Sequence, residues 1–218
     1  MTRIVAINAS PRTTWNTATL VNDAARGAEE AGAQVQHFDL YELEPYQGCR
    51  SCFACKRGAT AGRCVYPDGL TPVIDAIREA DGVIIGSPNY LGDISAGMHC
   101  LMERVMFQNI TYQTDPRWYR EPKTPTLFIM TSNAPDGMYQ QGGFYADLLQ
   151  SKLLSISHAI GPARPLVCGN TLQVEDYGRY DWTMFDAKQR QSWRDKMFPL
   201  TRELAAEMGA ELVTDPWA

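Results

Sequence analysis

Runs of β-branched and other apolar residues alternate with amphipathic stretches along the whole chain. Ile4 to Ile7 form a short apolar run that ends in the polar turn Asn8-Ala9-Ser10-Pro11-Arg12. Leu20, Val21, Ala24, Ala25 and Ala28 then recur at helical spacing, so the chain opens as strand, loop and helix. Gly32 closes that helix, and Val35 and Phe38 alternate with Gln34, Gln36 and His37 as an edge strand would. After a cysteine-bearing loop, Leu70, Val73, Ile74 and Ile77 make a helical stripe. The unbroken Val83-Ile84-Ile85 between Gly82 and Gly86 predicts a strand buried on both faces, with a second polar loop from Ser87.

Further on, Met98, Leu101, Met102 and Val105 mark a helix from about Ser95 to Phe107, and Asn109 to Lys123 form a polar and aromatic insertion. A strand over Thr126 to Met130, a helix over Phe144 to Ile160 and a strand over Pro165 to Cys168 follow, and Trp193, Met197, Leu200 and Leu204 mark the face of a last helix. Strict alternation implies right-handed crossovers, hence an α/β doubly wound, five-stranded parallel sheet of order 2-1-3-4-5 with helices on both faces. No repeat or linker divides the chain, so residues 1–218 are expected to form one domain, carrying a cysteine loop at 46–68 and an insertion at 109–123.

At 218 residues and 44% apolar content, the chain can bury one sizeable core. Twenty basic against twenty-five acidic residues, without a basic block, disfavour nucleic acid and anionic membranes as partners. The opening MTRIVAINAS lacks the charged and long apolar segments of a signal peptide, and no stretch approaches about eighteen apolar residues, so a cytoplasmic protein is expected.

Such sheets bind ligands beyond the carboxyl ends of their strands at the topological switch point. The first loop there, residues 8–17, lacks both G-x-G-x-x-G and a Walker lysine, yet it crowds hydroxyls and amides at a helix N-terminus. Ser10, Thr14, Thr17 and the backbone amides can donate to a phosphomonoester, with Asn16 adding an amide and Arg12 a charge-assisted bond. Helix capping by Thr14 or Asn16 is the alternative reading of the same residues.

This loop, Ile7-Asn8-Ala9-Ser10-Pro11-Arg12 with Asn16-Thr17, resembles the phosphate loop of the flavodoxin-like NAD(P)H-dependent FMN oxidoreductases, and Gly86-Ser87-Pro88-Asn89-Tyr90 resembles their flavin-ring loop. Asn8-Ala9 stands where the family carries glycine. The resemblance implies FMN as cofactor, NAD(P)H as transient electron donor, and Pro88, Asn89, Tyr90, Leu91 and Gly92 around the flavin ring. Tyr90 offers an aromatic face for such a ring. Ser132 and Asn133, in the loop after the fourth strand, are further donors for the ring's pyrimidine end, although a capped turn would use them equally well. The flavin carries the electrons itself, so no catalytic side chain is nominated. His37, His99 and His158 are read as structural, and Cys100 and Cys168 as small buried hydrophobes.

Cys49, Cys52, Cys55 and Cys64 form a C-x2-C-x2-C-x8-C constellation. In a reducing compartment this favours metal or redox chemistry over structural disulfides. The motif resembles that of the iron-sulfur flavoproteins, a branch of the same family, whose last cysteine gap is shorter. A [4Fe–4S] cluster, a zinc ion and a metal-free thiol loop all remain open here. Arg50, Lys56, Arg57 and Arg63 flank the thiols and are expected to lower their pKa values.

The functional expectation is an FMN-dependent oxidoreductase that passes electrons from NAD(P)H or a reduced carrier to a quinone, flavin or other small acceptor. A non-enzymatic electron carrier working with ferredoxin-like proteins is the alternative. Family resemblance implies a homodimer or homotetramer.

Overall fold

The computed structural model describes residues 1–217; Ala218, the last residue of the expected domain, lies outside them. Strands β1 (Arg3–Asn8), β2 (Gln34–Asp39), β3 (Gly82–Pro88), β4 (Thr126–Thr131) and β5 (Ala163–Cys168) form one sheet of order β2-β1-β3-β4-β5. Every pairing is parallel, and the register sets Ile7 beside Phe38 on one side and Ile85 on the other. The expected order and parallel pairing are thus present. β3 runs two residues past its predicted end, through Ser87 and Pro88, because both still pair with Met130 and Thr131 of β4.

Helices α1 (Asn16–Glu30) and α5 (Ala187–Thr214) cover one face, and α2 (Thr71–Glu79), α3 (Ala96–Asn109) and α4 (Ala146–Ala159) the other. The two-residue period of a strand divides the core accordingly. Val5, Ile7, Val83, Ile85, Phe128 and Met130 point to the three-helix face, whereas Ile4, Ala6, Ile84, Leu127 and Ile129 point to the α1/α5 face. Edge strand β2 is largely exposed, consistent with its polar alternation.

α1 and α5 approach closely along small residues. A Cβ on Gly27 would strike the Ala206 carbonyl, and one on Gly209 would strike the Ala24 carbonyl. This seam decides which face of α5 is buried. Phe198, Ala205, Gly209 and Leu212 go inward and Trp193 is half-buried, while Met197, Leu200 and Leu204 stay 45%, 55% and 44% exposed. The predicted inward face of α5 is therefore wrong for these three residues. α5 carries two apolar stripes, and backbone approach at the glycines selected the other.

The insertion at 109–123 doubles back on itself, with Ile110 bridging Trp118 and both amide atoms of Asn109 bonding the backbone of Arg120. Tyr119 packs against Gly62 of the cysteine loop, and Trp118 lies against His158 of α4. The insertion covers the cysteine loop. None of its residues lines the cleft described next.

Candidate functional site

The loops that leave β1, β3, β4 and β5 at their carboxyl ends enclose one cleft. Its lining includes Ser10, Arg12, Asn16, Thr17, Pro88, Asn89, Tyr90, Ser132 and Asn133, all singled out from the sequence. Three other predicted residues lie elsewhere. Thr14 is exposed on the outer side of its loop, and Leu91, fully exposed, and half-buried Gly92 sit at positive φ at the tip of a turn closed by reciprocal Tyr90–Asp93 backbone bonds, where the Gly92 amide donates to Asn89 Oδ1 at 2.8 Å. A two-residue turn between such bonds aims its tip away from the sheet, which motif spacing alone does not reveal.

The first loop is built by Asn8, half of the Asn8-Ala9 pair that precedes Ser10. Its side chain accepts from Ser10 N at 3.0 Å and donates to Asp39 Oδ1 at 2.7 Å, so it ties the loop to β2. Ser95 Oγ donates to Ala9 O at 2.6 Å and accepts from Met98 N at 3.3 Å, capping α3 while fixing the end of β1. α1, by contrast, starts at Trp15 without any side-chain cap. The capping alternative for Thr14 and Asn16 is therefore absent, and the first-turn amides keep the partial positive charge that suits an anion.

Three predicted phosphate donors have partners within the chain, the first being Thr17, whose Oγ1 shares a hydrogen bond with Thr131 Oγ1 at 2.7 Å. Arg12 donates to Gln173 O, and Asn16 Nδ2 donates to Leu172 O at 2.8 Å, as Trp15 Nε1 does at 3.0 Å. They hold a strap, residues 169–186, that crosses the cleft from β5 to α5. Thr171 closes the strap's other side through two bonds to Ser132 O, from its amide at 3.0 Å and its hydroxyl at 2.9 Å. From α5, Arg194 donates to Asn16 Oδ1, and Arg190 donates to Asn133 O at 2.7 Å.

Trp15, Thr131, Thr171, Leu172, Gln173 and Trp182 also line the cleft, and none was assigned from sequence. The strand-end rule could have drawn attention to the segment after β5, but that segment carries no motif. Two buried side-chain atoms in the cleft wall, Asn133 Oδ1 and Gln173 Oε1, have no partner. Acceptors left unpaired at an otherwise satisfied wall match the N–H and O–H groups that a polar ligand brings. Uncapped amides, the Tyr90 ring and orphaned acceptors, all in the wall of one cleft, suit the phosphate, ring and polar groups of FMN.

The cysteines form a second site. All four line a mainly apolar pocket together with Phe53, Tyr66, Arg104 and Phe107. Cys55 is buried and Cys52 exposed, with Cys49 and Cys64 between these extremes. Ser51 and Phe53 adopt left-handed backbone conformations, an uncommon choice for residues with a side chain, and they turn the chain sharply on either side of Cys52. α3 anchors the loop: Glu103 accepts from Cys49 N and Gln108 from Cys64 N, both at 2.9 Å. Arg104, only 2% exposed, is paired with Asp68. Lys56 caps the C-terminal end of α3 at the carbonyls of Phe107 and Ile110, over the Phe107 ring.

Among the described residues, no three His, Cys, Asp or Glu side chains converge tightly enough for a single metal ion. The ligands of an iron-sulfur cluster stand around a cube instead, so the shared pocket is the more pertinent observation for that group, and the donor set fits it. Burial pushes the Cys55 thiol up, against the opposing pull of Lys56 and helped by the other three cysteines. The expected lowering by basic flanks does not hold there, because desolvation of the thiolate outweighs one nearby ammonium.

Of the histidines, His99 has a carboxylate partner that the sequence reading missed, Asp93 at 3.2 Å. Cys168 is buried and its thiol pushed up to about 12, chiefly by desolvation.

The family model described as NADPH-dependent FMN reductase matches residues 2–141. An iron-sulfur flavoprotein of Methanocaldococcus jannaschii is 34% identical over 113 residues, 51% of this chain and 55% of that protein. The chain thus spans about half the length of the curated relatives it matches. Among solved structures, an NAD(P)H:quinone oxidoreductase from Methanothermobacter marburgensis superposes with a TM-score of 0.68 at 13% identity, covering 97% of this chain and 96% of the other. An FMN-dependent NADH-azoreductase from Bacillus anthracis, in complex with FMN, gives 0.65 at 13% identity over 97% and 99%. At such identities the two structures speak to the fold alone. No described helix is long and apolar enough to cross a membrane.

Proposed function

Because the chain belongs to the NADPH-dependent FMN reductase family, we propose that it is an FMN-dependent oxidoreductase that takes electrons from a reduced nicotinamide and delivers them to a small acceptor such as a quinone or a free flavin. The observation that carries this reading is the strand-end cleft, with its uncapped helix amides and unpaired Asn133 and Gln173 acceptors. When bound, FMN supplies the redox chemistry, and the protein supplies position and electrostatics. The α1 amides, Ser10 and Thr17 bind the phosphate, Asn133 and Gln173 accept from the polar groups of the cofactor, and Tyr90 bounds the ring. The strap excludes water from the phosphate end, and Arg12 secures it there.

The cysteine pocket extends the proposal. Cys49, Cys52, Cys55 and Cys64 would hold a [4Fe–4S] cluster, which would supply one-electron transfer; the similarity to iron-sulfur flavoproteins supports this reading. α3 links the two sites, since Ser95 at its start fixes the flavin loops and Glu103, Arg104 and Gln108 fix the cysteine loop.

The test is an anaerobic purification followed by flavin, iron and acid-labile sulfide analysis, and then titration with NADPH. FMN near one per chain that bleaches on NADPH addition is expected, with about four irons per chain. A protein that takes up no FMN on reconstitution overturns the reading. Flavin without iron removes the cluster and leaves the reductase.

A further inference from the structure

Arg104 Nε is one of four buried side-chain atoms among the described residues that have no hydrogen-bond partner. Two of the others, on Asn133 and Gln173, lie in the wall of the flavin cleft, whereas Arg104 lies in the wall of the cysteine pocket. The rest of its guanidinium is locked. Nη1 is paired with Asp68, whose carboxylate oxygens also accept from the amides of Leu70 at 3.0 Å and Gln47 at 3.3 Å. Nη2 donates to Tyr66 O at 2.8 Å, and the Tyr66 ring lies over the group, its centroid 5.7 Å from Cζ. With both Nη atoms anchored, the planar group cannot turn its third edge toward another partner. A lysine could pair with Asp68 as well; the fork adds a donor that the chain leaves unused, and burying an unpaired donor is unfavourable.

We infer that Arg104 Nε–H donates to a sulfur of the cluster held by Cys49, Cys52, Cys55 and Cys64, and that this bond raises the cluster's reduction potential. The inference rests on the cluster reading above and adds to it a residue that is not a ligand. Arg104 lines the same pocket as all four thiols, and Cys64 is a contact of its guanidinium. A thiol sulfur is a weak acceptor, whereas a thiolate accepts a charge-assisted bond, so the partner that Nε lacks arises when the site is loaded. One added electron increases the negative charge on the sulfurs, and a fixed N–H donor then stabilises the reduced form more than the oxidised one. Asp68 offsets the charge of Arg104, which leaves the directed bond as its main effect on the site.

A potentiometric titration of the anaerobically reconstituted protein with dithionite tests this, read by electron paramagnetic resonance of the reduced cluster, with iron content and bound FMN as loading controls. R104M/D68N removes donor and counter-charge together, so the net charge stays the same and no buried carboxylate is stranded. It should keep about four irons per chain but favour the reduced cluster about tenfold less, a fall of about 59 mV for one electron. Arg104→Lys, which keeps a cation beside Asp68 but lacks the third edge, should fall likewise. Asp68→Asn alone keeps the donor and should not lower the potential. Wild-type protein grown on 15N-labelled arginine gives a readout that needs no variant: electron–nuclear double resonance of the reduced cluster should show an arginine nitrogen coupling. Absence of that coupling overturns the inference. So does a double variant with the wild-type potential, or an equal fall in Asp68→Asn. A wild type that takes up no iron overturns the cluster reading and this inference with it, whereas an iron-loaded protein indifferent to Arg104 overturns the inference alone.

Discussion

The flavin cleft and the cysteine pocket are both made of loops, but they are held in different ways. The cleft rests on the ends of four parallel strands, and main-chain bonds (Ala9 to Gly86, Asn89 to Thr131, Thr171 to Ser132) hold its loops there alongside side chains such as Asn8 and Ser95. The cysteine loop instead leaves the sheet and is pinned mainly to α3 by the side chains of Glu103, Arg104, Gln108 and Lys56, with Arg78 of α2 donating to Gly62 O at 2.7 Å. A main-chain scaffold tolerates the loss of a single side chain, whereas a loop hung on side chains depends on each of them.

The sharpest way to break the comparison is to remove one thiol. Cys55→Ala should reduce iron and sulfide to background while FMN stays near one per chain; parallel loss of flavin would show that the two sites are not independent. Arg104→Ala comes next. It strips the partner from the buried carboxylate of Asp68, a kind of loss that costs about 3–5 kcal/mol in denaturant unfolding. An R104M/D68N double variant should recover most of that, since neither buried charge then remains. Burial lowers the Arg104 pKa and its bonds to Asp68 and Cys64 raise it, with a net rise, so the guanidinium keeps its charge.

On the cleft side the effects should be smaller. Arg12→Ala frees one edge of the strap and should weaken FMN binding about tenfold, or about 1.4 kcal/mol for a charge-assisted bond, by fluorescence titration. The midpoint of unfolding of the apoprotein should barely move. An unchanged FMN affinity would remove Arg12 from the site.

The smallest effect concerns Asp93, beside the flavin-ring loop. Burial pushes its pKa up, but the bond from Lys152 at 2.7 Å, the Ile94 amide and His99 pull it down, with a net lowering. A depressed carboxyl stabilises the fold above its unfolded-state value near pH 4, and this contribution disappears as the pH falls through the lower folded-state value. Asp93 is 46% exposed, so screening limits the contribution to about 0.5 kcal/mol. Asp93→Asn should shift stability by that amount at pH 7 and by nothing near pH 2, as measured by urea denaturation at both.

Much of the architecture was legible because its periods are local. Val83-Ile84-Ile85 reads as a two-sided strand, the Leu70 to Ile77 stripe as a helix, and strict alternation of the two forces the parallel order. Short-range motifs likewise pointed to Ser10, Asn16, Thr17, Pro88, Asn89 and Tyr90, which meet in one cleft. The strap was illegible because Leu172 and Gln173 act through main-chain carbonyls and orphaned amides, and any residue carries a carbonyl. Arg194 was missed because its partner, Asn16, is 178 residues away in sequence.

The sequence by itself therefore determined the fold, the cysteine constellation and the two polar loops after β1 and β3, since each is written in spacings of a few residues. Only the tertiary structure decided that the insertion covers the cysteine loop, that Leu91 points away from the cleft and that Arg12 fastens a strap. It also chose between the two apolar stripes of α5. Periodicity can show that a helix has an apolar face, but burial is settled by backbone shape, and the approach of Gly27 and Gly209 to the opposing helix turned Phe198 and Leu212 inward and left Leu200 exposed.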